Sequence, residues 1–220
     1  MAAGTAPRQS PVSGAPRSAV NRGRERYTAP MPSLHRIVGI VVRPKAEWEL
    51  IAREDSTVDD LLRRYILPLS LLAPIATMIG MKYFDAAWDE DLGYMVPPQE
   101  IFTAGATTLF ATIVSVFALA GIFVLIAPMY GSSRDFRKAL KVATYGAVPV
   151  MLAGATLVLP VMAIIGLAGL SHSLFVYWLG VKQVLNVRGS HSTEFIGISM
   201  LMLIAASTLA GAAASAAGMF

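Results

Sequence analysis

The chain has 220 residues, of which 55% are hydrophobic and only 15% charged, with a mean hydropathy of +0.59 and a formal net charge of +4. Such a composition excludes an ordinary soluble domain, and a basic balance set beside long apolar runs points to membrane topology and anionic lipid rather than to nucleic acid. Cysteine is absent, which excludes disulfides, thiol catalysis and thiolate metal sites.

The first 32 residues carry Arg8, Arg17, Arg22, Arg24 and Arg26 against a single acid, Glu25, together with Pro7, Pro11, Pro16, Pro30 and Pro32. No apolar core follows the early basic residues, so the segment does not read as a cleaved secretory signal. Its composition is that of a disordered arm. Residues 33–64 read as short amphipathic helices at the membrane face. Leu34, Ile37, Val38 and Val41 recur at helical spacing beside His35, Arg36 and Arg43, which fits a helix lying on the leaflet. Pro44 then occupies a natural first helical position ahead of Trp48, Leu50 and Ile51. Trp48 is either an interfacial anchor or part of a cap packed under the bundle.

Residues 65–220 hold five charge-free stretches, at 65–81, 101–128, 142–159, 161–181 and 195–220, each close to the length that crosses about 30 Å of hydrocarbon. The expected fold is therefore all-α: a polytopic integral membrane helical bundle with five transmembrane helices. The first helix is expected to begin before residue 65, because Ser56-Thr57 ahead of Asp59-Asp60 is a helix-starting pattern. The 40-residue run 142–181 is divided at Leu159-Pro160-Val161. Of the 18 Lys and Arg, all but Lys82 fall in the segments 1–64, 129–141 and 182–194. Positive residues stay inside, so the N-terminus is expected in the cytoplasm and the C-terminus outside. The opposite loop is acidic and aromatic, with Tyr83, Phe84, Trp88 and Tyr94 suited to the headgroup level. On the basic side, Arg134, Arg137, Lys138 and Lys141 form a patch facing the cytoplasmic leaflet, where anionic lipid is the expected partner.

The last span repeats small residues: Ala206, Ala210, Ala214 and Gly218 every four positions, with Ser207, Gly211 and Ser215 alongside. Small residues let helix backbones approach closely in lipid, so Ala206, Ala210, Gly211 and Ala214 mark a helix-packing seam. A seam within the chain's own bundle is favoured over one against another subunit. A milder stripe, Ala104, Thr108, Thr112, Val116 and Ala120, runs along the second span.

Chemistry has little to rest on. No Lys, Arg, Asp or Glu lies inside the five stretches, and no metalloprotease, nucleophile-elbow, phosphate-loop or dinucleotide motif is present. His35, His172 and His191 are scattered and do not form a metal site. The expectation is no enzyme activity and no cofactor. His172, about ten residues from Lys182, lies near the middle of the fourth span, where an ionisable group is either a functional residue or an interhelical hydrogen-bonding device. Pro68, Pro74 and Pro149 interrupt their spans, and a kinked helix lines binding sites in some transporters; elsewhere it is a packing kink.

Three segments, Arg43-Pro44-Lys45-Ala46-Glu47-Trp48-Glu49-Leu50-Ile51, Tyr145-Gly146-Ala147-Val148-Pro149 and Tyr177-Trp178-Leu179-Gly180-Val181-Lys182, resemble bacterial Yip-domain proteins, relatives of the eukaryotic Ypt/Rab-interacting membrane proteins. The resemblance runs from about Leu34 to the C-terminus. It implies a five-helix membrane domain with a cytoplasmic N-terminus in a bacterial inner membrane, and it marks Trp48, Tyr145, Gly146 and Pro149 as candidate functional residues beside His172. The Asp-Leu-Tyr-Gly-Pro motif of the eukaryotic members, which are linked to small GTPases, is absent, so GTPase binding does not carry over. The reading that results is a non-enzymatic membrane protein that scaffolds, assembles or accompanies other membrane components, its partners being lipid and other membrane proteins or itself. The alternative is a small-solute or ion transporter or channel using kinked helices and His172.

Overall fold

The computed structural model describes residues 33–85 and 96–216. The Arg/Pro-rich arm, Trp88 and Tyr94 of the acidic loop, and Gly218 of the small-residue row lie outside the described residues. All regular structure within them is helical. Two short helices, α1 (Ser33–Val42) and α2 (Pro44–Arg53), precede five long apolar ones: α3 (Val58–Phe84), α4 (Pro98–Tyr130), α5 (Phe136–Val158), α6 (Ala163–Val184) and α7 (Ser192–Ala216). The chain is thus an all-α membrane protein with five helices long and apolar enough to span.

Helix boundaries follow local chemistry. Thr57 caps α3: its Oγ1 accepts from the Asp60 amide at 3.1 Å while the Asp60 carboxylate accepts from the Thr57 amide at 3.4 Å, so two orphan donors are satisfied reciprocally. Leu62–Ile66 widens into a π-turn just before Pro68, where the chain must absorb a missing backbone donor. Asp135 caps α5 by accepting from the amides of Arg137 and Lys138. The run 142–181 does divide at Pro160: α5 ends at Val158, Leu159 is extended, and α6 starts at Ala163 after one tight turn. Beyond α6, Asn186 takes the left-handed conformation that stops a helix (φ 55°).

The core is centred on α5. Every residue from Ala139 to Pro149 is buried, which no amphipathic surface helix would show. It packs against α4, α6 and the N-terminal hairpin. α7 joins through its first half only, where Phe195 meets Phe123 and Tyr130 with ring centroids 5.4 Å apart. From Ile204 to Ala213 all its residues are exposed.

The hairpin α1–α2 runs lengthwise along α5 and α6. Its open end lies beside Lys141, while its turn lies beside His172, about 15 Å down α6 from Lys182 at 1.5 Å per residue. The anticipated stripe is split accordingly: Leu34, Val38 and Val42 point outward, whereas Ile37 and Val41 pack against the core and Ile40 lies within it.

Candidate functional site

Where the hairpin meets α5 and α6, polar groups are buried together. Arg36 on α1 donates to the Glu47 carboxylate at 2.8 Å and to the Glu54 carboxylate at 3.1 Å. Glu47, Ile51 and Glu54 lie one helical turn apart on one side, so α2 presents two carboxylates to a single guanidinium. Burial works against the charge of Arg36, but the Glu47 hydrogen bond and the nearby Glu54 outweigh it and hold its pKa above the ordinary guanidinium value. Gly39 makes the approach possible, since a Cβ there would collide with the Glu47 side chain. Lys141, expected in the exposed basic patch, is instead buried. Its Nζ donates to the Ile51 carbonyl at 3.1 Å and to that of Glu54, closing the C-terminus of α2 where carbonyls lack helical partners. The patch is therefore reduced to Arg134, Arg137 and Lys138, which are exposed.

One layer further along α5 lies an aromatic cluster. Trp48 is fully buried, and its Nε1 donates to the Val176 carbonyl at 3.0 Å. Its ring lies against Gly180, where a Cβ would come within 2.5 Å of it. Of the two readings of Trp48, packing inside the bundle is the one observed. Tyr145 stands edge-on to both Trp48 (6.1 Å) and Tyr65 (4.8 Å). Gly146 faces the Tyr177 ring so closely that any side chain would collide with it, and the Tyr177 hydroxyl donates to the Ala143 carbonyl at 3.3 Å. These contacts bring together Trp48, Tyr145 and Gly146, three of the five candidate residues.

Pro149 and His172 lie deeper. The amide of Val150, just past Pro149, donates to Ser173 Oγ at 2.9 Å, so α6 supplies a partner at the interruption. His172 Nε2 donates to the Val41 carbonyl at 3.0 Å and ties the end of α1 to α6. The imidazole therefore joins two helices, the role such groups often have in membranes. Among the described residues, none packs over the small residues at the middle of α7. Ala206, Ala210 and Gly211 are exposed, and a Cβ on Gly211 would meet nothing within 4 Å; Ala214 lies on the same helix.

Sequence reasoning missed the buried Arg36, Glu47, Glu54 and Lys141 group. A signal was present: carboxylates at 47 and 54 fall on the same α2 face as Ile51, the face that must turn inward. Among the described residues no group of three or more His, Asp or Glu is placed to hold a metal ion.

Five apolar helices, one of them the largely buried α5, with an N-terminal hairpin locked alongside, define an integral membrane helical bundle. A family model for the Yip1 domain matches residues 38–211, and the chain belongs to that family. The match opens inside α1, just past Arg36, and closes inside α7, so it takes in α2 with Glu47 and Trp48 and reaches all five long helices. No curated protein and no solved structure gives a significant match.

Proposed function

We propose that this Yip1-family protein is a non-enzymatic scaffold or accessory subunit that holds a transmembrane helix of another membrane protein against the second half of α7. The observation that carries the reading is the exposure of α7 from Ile204 to Ala213 along rows of small residues. In lipid, apolar area alone gives helices little reason to associate; close backbone approach over Gly, Ala, Ser and Thr does. Ala206, Ala210 and Gly211 offer that approach, and Leu201, Ile204 and Leu209 flank them.

In this reading the basic end faces the cytoplasm of a bacterial cell, as the distribution of Lys and Arg favours. Arg134, Arg137 and Lys138 then meet anionic headgroups of the inner leaflet. The locked hairpin, reaching from the basic end down to His172, packs against α5 and α6 and leaves the second half of α7 uncovered. Transport through His172 has weaker support, because its Nε2 is engaged by the Val41 carbonyl.

The test is purification from native membranes into nanodiscs, with the assembly sized intact. A cysteine-free chain makes Ala210→Cys a unique crosslinking site. A stoichiometric partner crosslinked through Ala210→Cys, whose co-purification is lost in Ala210→Leu, is the expected result. A monodisperse chain with no protein crosslinked at that position would overturn the reading.

A further inference from the structure

An open chamber of about 600 Å³ lies in the side of the bundle, between α3, α4, α5, α6 and the first half of α7. It is at the depth of the apolar spans, from Thr107 to Leu119 on α4 and from Gly166 to Tyr177 on α6. Its volume falls in the ordinary range for ligand sites. Small residues leave the space, among them Ala111, Ala147 and Gly154. Most of the polar lining groups are turned back on the protein: Thr108 and Thr112 hydroxyls donate to carbonyls one turn earlier on α4, Ser173 accepts the Val150 amide, and Tyr177 donates to Ala143. Apart from Thr107 and Ser115, the rest of the lining is apolar.

The chamber opens sideways. Leu157, Leu170 and Leu174 on its wall are 49%, 46% and 38% exposed, so the surface that would meet bilayer hydrocarbon continues into it. At Thr107 and Thr108 it adjoins a second groove at the start of α4, whose polar lining residues include Gln99, Glu100 and Thr103. Among the described residues lining this groove, Glu100 carries the formal charge and makes the mouth acidic. An apolar chamber leading to an acidic, hydrogen-bonding mouth has the shape of an amphiphile with a cationic head.

We propose that this chamber binds one acyl chain of a membrane phospholipid bearing an ammonium group, its headgroup resting at Gln99, Glu100 and Thr103. The acyl chain fills a space lined by apolar atoms, where an unfilled void would forfeit van der Waals contacts. Glu100 favours an ethanolamine-type head over a purely anionic one by charge. The site is independent of the partner-binding face of α7, which begins beyond Leu203.

The test uses the full chain in nanodiscs of phosphatidylethanolamine and phosphatidylglycerol, doped with a phosphatidylethanolamine that carries a photoreactive group near the end of one acyl chain. Gly166 lines the chamber and a Cβ there meets nothing within 4 Å, so Gly166→Phe adds bulk at the chamber wall without a backbone clash; Gly121, equally open but outside the chamber, gives the control Gly121→Phe. Adducts are expected on chamber residues such as Thr112 and Leu170, to be lost in Gly166→Phe and retained in Gly121→Phe. Ala111→Leu is the second plug, should Gly166→Phe fail to fold as judged by its elution and unfolding midpoint. Native mass spectrometry should show one retained phosphatidylethanolamine per chain, with the preference over phosphatidylglycerol abolished by Glu100→Gln. Adducts spread evenly over the lipid-facing surface, labelling insensitive to both plugs, or retention of a free fatty acid in place of phospholipid would each overturn the proposal.

Discussion

α5 and α7 are both long enough to span, yet the bundle treats them oppositely: 56% of the α5 spanning window is buried inside the protein, against 17% for α7. The less apolar of the two is the one inside. In water this order would be perverse. In a bilayer it is expected, because lipid tails are as apolar as leucine and hydropathy chooses what may face them, while packing and hydrogen bonds choose what stays within. α5 carries Lys141, Tyr145 and Gly146, each with a specific neighbour; α7 carries interchangeable small and aliphatic residues along its second half. The hub of this protein is defined by particular fits, its free face by the lack of them.

Substitutions that break the α5 neighbourhood should therefore cost stability, and substitutions on α7 should not. The largest effect is expected where α5 meets the hairpin. Arg36→Met strands Glu47 in a buried setting and should lower unfolding free energy in mixed micelles by about 3–5 kcal/mol, with Glu47→Leu in the same chain recovering part of it. Because the two carboxylates raise the Arg36 pKa, its contribution is complete below the guanidinium range and is lost only as pH rises through it. The penalty should thus be equal at neutral and mildly basic pH, and a penalty that vanished at mildly basic pH would remove the charge from the explanation. Next, Gly146→Leu drives a side chain into Tyr177 and should cost about 1–3 kcal/mol, read as a lowered unfolding midpoint. His172→Leu removes one hydrogen bond between helices, worth about 0.6 kcal/mol in such bundles, and should leave any measured flux across liposomes unchanged. Last, Ala210→Leu should change stability by no more than about 0.5 kcal/mol, as for an isolated surface position. A marked destabilisation by Ala210→Leu in the purified chain would show that α7 packs within its own bundle and would erase the contrast with α5.

Much of this organisation was legible in the sequence, for reasons that differ element by element. Charge-free length located the five spans because hydrocarbon thickness sets it, and Thr57 with Asp60 located the true start of α3 because capping is local. Pro160 marked the division between α5 and α6 for the same reason. Lys141 misled, since a cation near a span reads as facing water unless the carbonyls it meets are known, and those belong to α2, nearly 90 residues earlier. Trp48 was undecided because an amphipathic ring suits either an interface or a core; Gly180, distant in sequence, decides it. The small residues of α7 announced close packing without saying on what.

α4 carries a last implication. Its outward apolar residues run from Phe102 to Leu125, both well over half exposed, a rise of about 35 Å along the helix axis. That exceeds the roughly 30 Å hydrocarbon layer of an average bilayer, so the helix must lean or the surrounding lipid must stretch. Membrane thickness then acts on α4 as a lateral load, felt first at its contacts with α5. A protein built this way is matched to thicker membranes, and moving it into thinner ones would tilt α4 further from the bilayer normal.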